Sequence, residues 1–150
     1  MKDQSAALKA VASDARAGAR GAVLLAGAAG TGAAKAAEMV AAELGTTVTR
    51  IDLAATVSKY IGETEKHLDA VFADAERAGT VLLVDDADAL FGARGGVKDS
   101  HDRYANLDVS SLLARVEEYD GVVLLATNLR TNIDAPFTRR LRRVIDYTPR

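Results

Sequence analysis

The sequence predicts a three-layer α/β domain in which helices cover both faces of a five-stranded parallel sheet. Two observations predict this class. Short runs rich in large aliphatic residues recur along the chain, and segments of helical length separate them. Strands that alternate with helices need crossover connections, which are right-handed and bury a parallel sheet between two helical layers. A chain of 150 residues has the length of one such domain.

The elements are predicted in chain order from composition and from the residues that end each segment. Asp3–Ala17 is an alanine-rich helix that is expected to pack marginally, because Leu8 and Val11 are its only large aliphatic residues. Ala22–Ala26 is a strand buried on both faces, and Ala33–Leu44 is a helix followed by glycine. The same alternation continues with strands at Thr47–Leu53, Val81–Asp85, Val122–Thr127 and Val144–Thr148, and with helices at Glu63–Ala78 and Ala105–Tyr119.

Bulk composition argues against several functional classes. The formal net charge is −2 and no long run of like charge occurs, so general binding to nucleic acid or to anionic membranes is not indicated. The chain has no cysteine and therefore no disulfide or thiolate metal site. Its first twenty residues lack the apolar stretch of a signal peptide, and no segment has ~18 uninterrupted apolar residues. A soluble cytoplasmic protein is expected.

A glycine-rich loop joins the first predicted strand to the next helix, where α/β sheets bind phosphate. The loop GAAGTGAA keeps the glycine spacing of the pattern GxxxxGK[ST], in which backbone N–H groups wrap phosphate at a helix N-terminus. In that pattern the lysine reaches the β- and γ-phosphates and the hydroxyl holds magnesium, but two alanines stand at those positions here. The candidate nucleotide-binding residues are Gly27, Ala28, Ala29, Gly30, Thr31, Gly32, Ala33 and Ala34.

Two alternatives bear on this loop. Lys35 is the nearest substitute for the missing lysine, but it lies two residues, or ~200° of helix rotation, beyond position 33 and is expected to point away. Taken alone, the segment is equally a glycine-rich turn in an alanine-rich protein. The motifs that accompany it favour the phosphate-binding interpretation.

An acidic pair ends the third predicted strand. In VLLVDDADALFG, Asp85 lies at the carboxyl end of a buried strand, beside the crevice where parallel sheets bind ligands, and Asp86 follows it. The alternative is that both residues cap a helix that begins at Ala87.

Two polar positions follow the second and fourth predicted strands. Asn128 comes directly after VVLLAT, although asparagine at this place is also an ordinary turn former. In SKYIGETEKHL, an aromatic, an aliphatic and a glycine stand together as Tyr60, Ile61 and Gly62. The alternative here is a half-buried tyrosine beside a glycine turn.

Arginines cluster before the last predicted strand in TRRLRRVIDY. Arg140 and Arg143 are candidates for contacts with phosphate. The alternative, a solvated basic helix end favoured by the helix dipole, accounts for Arg139 and Arg142.

Five motifs in this order and spacing resemble those of AAA+ ATPases over Gly21–Arg150, with segments most similar to bacterial members. The resemblance implies the P-loop NTPase fold for residues 21–150, with an N-terminal helical extension over residues 1–20 and no C-terminal helical lid. It implies protein partners, and ATP or ADP with magnesium as cofactors, bound weakly or lost. The implied roles are a water-mediated magnesium contact for Asp85, orientation of the attacking water by Asp86 in place of the family's glutamate, sensor 1 for Asn128, arginine fingers for Arg140 and Arg143, and a substrate-gripping pore loop for Tyr60, Ile61 and Gly62.

Three functional hypotheses follow. The first is a degenerate AAA+ core, a pseudoenzyme that acts through protein contacts, beside an intact AAA+ ATPase or with copies of itself. The second is a working member of an ATPase assembly that remodels or threads protein substrates and takes its lid from another chain. The third is a truncated core, or one whose loop was emptied by design.

Overall fold

A computed structural model of the chain describes residues 2–19, 21–27, 31–59, 62–87, 109–127 and 141–146. Within these residues, strands alternate with helices as the sequence predicts. The strands are β1 (Ala22–Ala26), β2 (Val48–Asp52), β3 (Val81–Asp85), β4 (Val123–Thr127) and β5 (Arg143–Asp146). The helices are α1 (Lys2–Arg16), α2 (Thr31–Leu44), α3 (Leu53–Lys59), α4 (Thr64–Ala78) and α5 (Val109–Glu118).

All strand pairs are parallel, and the sheet order is β2-β3-β4-β1-β5. Every residue of β1, β3 and β4 is buried, as expected for strands covered on both faces. The predicted fold class, a five-stranded parallel sheet between helical layers, is confirmed.

The predicted boundaries are right to within a few residues, with one omission. The second strand ends at Asp52 and not at Leu53, and the short helix α3, which the sequence analysis did not predict, begins there. The Asp52 carboxylate accepts the N–H of Ala55 at 3.0 Å, and the Asp52 carbonyl accepts the Thr56 hydroxyl at 2.8 Å. These bonds satisfy groups of the first helical turn and stop the strand. The last strand begins one residue earlier than predicted, at Arg143.

The two faces of the sheet carry separate apolar clusters. On one face, Val23, Leu25 and Leu83 pack with residues of α1 and α2. On the other face, Leu24 and Leu125 pack with residues of α3, α4 and α5. The second cluster includes an edge-to-face pair of Phe72 and Tyr119 with ring centroids 6.1 Å apart, an arrangement that aromatic rings favour.

Helix α1 packs more firmly than its thin apolar stripe suggests. Leu8, Val11 and Ala12 are buried in the cluster on the α2 face, and the helix lies against both α2 and β5. Asp14 near its end pairs with arginines at the start of β5. Within the described parts of the chain, no helix is both long and apolar enough to span a membrane.

Candidate nucleotide-binding site

Hydrogen bonds tie three strand ends together at the carboxyl edge of the sheet. The N–H of Gly27, the first loop residue, donates to the Thr127 carbonyl at 2.6 Å. The N–H of Ala87 donates to the Ala126 carbonyl at 2.9 Å. The start of the glycine loop, the acidic pair and the end of β4 therefore meet at one place. Asn128, which follows Thr127, lies outside the described residues.

The described parts of the loop are its first residue and its helical end. Gly27 has φ of 83°, a left-handed conformation that favours glycine. Helix α2 begins at Thr31, so Gly32, Ala33 and Ala34 belong to its first turn, where main-chain N–H groups have no partner within the helix. Ala28, Ala29 and Gly30 lie outside the described residues.

The side chains at the two alanine positions offer no polar atom. Ala33 is 0 % exposed and belongs to the apolar cluster between α2 and the sheet, whereas Ala34 is half-buried. Lys35 is exposed, between the buried Ala33 and Ala36, so its side chain leaves the helix on the solvent side.

Asp85 is the most buried acidic residue of this edge, with 2 % of its surface exposed. Its Oδ1 accepts the N–H of Asp86 at 2.8 Å, and its Oδ2 accepts Nη2 of Arg50 at 2.5 Å. Arg50 lies on the neighbouring strand β2, and about half of its side chain is exposed. Sequence reasoning did not identify Arg50, because the pairing depends on the register of β2 against β3.

Asp86 adopts a left-handed backbone conformation with φ of 57°, unusual for a residue with a side chain. Aspartate tolerates this conformation better than most residues, because its short polar side chain can bond locally. The aspartate at this position therefore suits the backbone that carries it.

Arg143 lies at the other edge of the sheet. It begins β5 in register with Val23, whereas the glycine loop follows Ala26, the last residue of β1. Its Nη2 is 3.1 Å from Oδ2 of Asp14, and Nη2 of Arg142 is 3.0 Å from the same oxygen. Hydrogen bonds from both guanidinium groups hold the pKa of Asp14 below its ordinary value of 3.8. Arg140 lies outside the described residues.

Of the predicted pore loop, the structure describes Gly62, which is exposed and has φ of 82°. Tyr60 and Ile61 lie outside the described residues. A cleft of about 240 Å³ opens beside this segment. Its polar lining comes from β2, α3 and α4, through Arg50, Asp52, Thr56, Lys59 and the half-buried His67.

A parallel sheet of this strand order, with a glycine loop leading from β1 into the N-terminus of α2, defines an α/β protein of the P-loop NTPase type. Comparison with known proteins narrows the class. Residues 23–149 match the ATPase family associated with various cellular activities (AAA). The chain belongs to this family.

Individual relatives are similar over most of the chain. A katanin p60 ATPase-containing protein of Danio rerio is 34% identical over 139 residues, which cover 85% of this chain and 28% of that protein. A cell division cycle protein 48 homolog of Archaeoglobus fulgidus is 36% identical over 132 residues, 85% of this chain and 18% of that protein. An uncharacterized AAA family ATPase of Sinorhizobium fredii is 34% identical over 128 residues, 84% and 38% respectively. The chain thus spans well under half the length of each relative.

Family membership implies a nucleotide site, typically with magnesium, but the described residues do not fit that ion. Position 34 has no hydroxyl, and both oxygens of Asp85 already accept hydrogen bonds. The described part of the chain also contains no group of three or more histidine or acidic side chains that could hold a metal ion.

Proposed function

We propose that this chain is a AAA-family core module with impaired ATP hydrolysis, which binds nucleotide weakly and acts through protein contacts. The observation that carries the proposal is alanine at positions 33 and 34 in the first turn of α2. Phosphoryl transfer relies on positioning and on electrostatic stabilisation of the phosphates. Without the ammonium and the magnesium-binding hydroxyl, most of that stabilisation is lost.

Weak binding of phosphate is supported by the main chain, which the two alanines leave intact. The N–H groups of Gly32, Ala33 and Ala34 lie at the N-terminus of a 14-residue helix. Such groups attract anions through the helix dipole and through direct hydrogen bonds, whatever the side chains are.

The protein-contact part of the proposal draws on the relatives and on the predicted motifs. The Danio rerio relative is by name one subunit of an assembly, which supports association of this chain with other proteins. In such an assembly, Arg140 and Arg143 reach the nucleotide of a neighbouring protomer, while Tyr60, Ile61 and Gly62 contact polypeptide. These roles do not require the chain to hydrolyse ATP itself.

Calorimetry of ATP binding and an assay of phosphate release test the proposal. The unmodified chain is expected to release no phosphate above background. The triple variant Ala33→Lys, Ala34→Thr, Asp86→Glu is expected to bind ATP more tightly and to release phosphate, because it restores the ammonium, the hydroxyl and the longer acid. Robust turnover by the unmodified chain would instead show a working ATPase.

A matched control separates the restored site from a general charge effect. Ala42 lies on the exposed side of the same helix, so Ala42→Lys adds the same charge to α2 away from the loop. The control variant is expected to leave both ATP affinity and phosphate release unchanged.

A further inference from the structure

The Asp85 carboxylate is buried and already has a cationic partner. Only 2 % of the residue is exposed, and a carboxylate in such a place needs charged or hydrogen-bonding partners to remain ionised. Arg50 provides one through the 2.5 Å contact of its Nη2 with Oδ2 of Asp85. Guanidinium stays protonated at all accessible pH values, so this partner does not titrate away.

The register of β2 against β3 places this pair. Asp52 is the register partner of Asp85, and Arg50 is the partner of Leu83, so all four side chains lie on the face of the sheet that α2 covers. Like charges directly opposite each other on neighbouring strands repel. The Asp52 carboxylate accepts the N–H of Ala55 at the start of α3, and Arg50 supplies positive charge beside the two acids.

We propose that Arg50 takes the place of magnesium as the charge partner of Asp85, so that the module binds nucleotide as the metal-free anion. The inference rests on the proposed function for its nucleotide. Magnesium binds proteins through one or two carboxylates together with substrate phosphates and several waters. To reach Asp85, the ion must displace a guanidinium already bonded to it, and Ala34 offers no hydroxyl to share the load.

Titration with Mn²⁺, followed by the electron paramagnetic resonance signal of the free ion, tests the proposal without nucleotide. Asp85→Asn is expected to leave the Mn²⁺ affinity of the chain unchanged, since Arg50 keeps the ion away from that carboxylate. Arg50→Gln is expected to raise the affinity at least about tenfold, and adding Asp85→Asn to it removes the gain. Arg50→Lys, which keeps a cation near Asp85, is expected to bind no better than the parent chain.

Arg77→Gln is the matched control, because Arg77 forms an exposed ion pair with Asp74 on α4. It removes the same charge and is expected to give no gain in Mn²⁺ affinity. Two results would overturn the proposal: a Mn²⁺ site in the parent chain that Asp85→Asn destroys, or an Arg50→Gln variant that is folded and gains nothing. If Arg50→Gln does not fold, the comparison of the parent chain with Asp85→Asn decides alone.

ATP calorimetry in magnesium and in EDTA gives a second readout. The affinity of the parent chain is expected to agree within about twofold in the two buffers, and a tenfold gain with magnesium would contradict the proposal. The two proposals fail separately. A chain that turns over ATP but shows no Asp85-dependent Mn²⁺ site refutes the proposed function alone. A chain without turnover that has such a site refutes the Arg50 assignment alone.

Discussion

Asp86 shows how a single residue combines a backbone requirement with a predicted catalytic position. Its left-handed φ of 57° directs the chain away from β3 towards Ala87, whose N–H bonds to the end of β4. A side chain in this conformation is disfavoured by contact of Cβ with the following carbonyl. Strain of this kind persists where the surrounding structure fixes the backbone, and it concentrates at functional sites.

Replacement of Asp86 by glycine and by alanine measures this cost. Both variants lose the carboxylate, but only alanine keeps the Cβ that the left-handed conformation disfavours. Asp86→Gly is expected to exceed Asp86→Ala in free energy of unfolding by about 1 kcal/mol, measured by urea titration.

The same pair of substitutions at Asp74, which is exposed within α4, is the control. There the order reverses, because glycine is less favourable than alanine in a helix by about 1 kcal/mol. Equal stability of the two Asp86 variants would show that the position does not hold a left-handed backbone in solution.

Among the elements, those that the sequence predicts well are buried on both faces or have strong end signals. Ala22–Ala26 and Val81–Asp85 are continuous aliphatic runs, and the structure gives them the predicted limits. Helix α3 was missed because it has seven residues, and Asp52, which caps it, reads equally as the end of a strand. Periodicity needs a longer window than that to distinguish a helix.

Part of the candidate site depends on contacts that cross the sequence. The meeting of the loop with β3 and β4 follows from the rule that ligands bind at the carboxyl ends of parallel strands. The pairing of Arg50 with Asp85 requires the register of two strands, and that of Asp14 with Arg143 joins residues 129 positions apart. No local pattern encodes either distance, so neither contact was predicted.

The link between α1 and β5 predicts a dependence of stability on pH. Because the folded pKa of Asp14 lies below its ordinary value, the ion pairs stabilise the fold above about pH 3.8, and that contribution is lost as pH falls through the folded pKa. Asp14→Asn is expected to lower the melting temperature at pH 7. The difference from the parent chain should shrink as the pH falls below 3.8.

Asp74→Asn is the comparison, since the ion pair of Asp74 with Arg77 is largely exposed on both sides. Exposed pairs contribute little to stability, so this variant should match the parent chain at every pH. A melting temperature for Asp14→Asn equal to that of the parent at pH 7 would contradict the role given to Asp14.

At the scale of the whole molecule, the strand order sets a gradient of stability across the sheet. Strands β3, β4 and β1 lie in the middle, with every residue buried, whereas β2 and β5 form the edges. At the β5 edge, Val144 is 51 % exposed. Cooperative opening starts where few apolar contacts protect the main-chain hydrogen bonds, so the edges should open before the centre.

Native-state hydrogen exchange tests this gradient. The amides of Val23, Leu24 and Leu25 are expected to exchange at least about tenfold more slowly than those of Val144 and Ile145, their neighbours across the β1–β5 ladder. Asp14→Asn should speed exchange in α1 and β5 and leave β3 unchanged, because Asp14 bonds to the arginines that begin β5. Uniform acceleration across all five strands would mean that α1 and β5 open only with the rest of the sheet, as part of one cooperative unit.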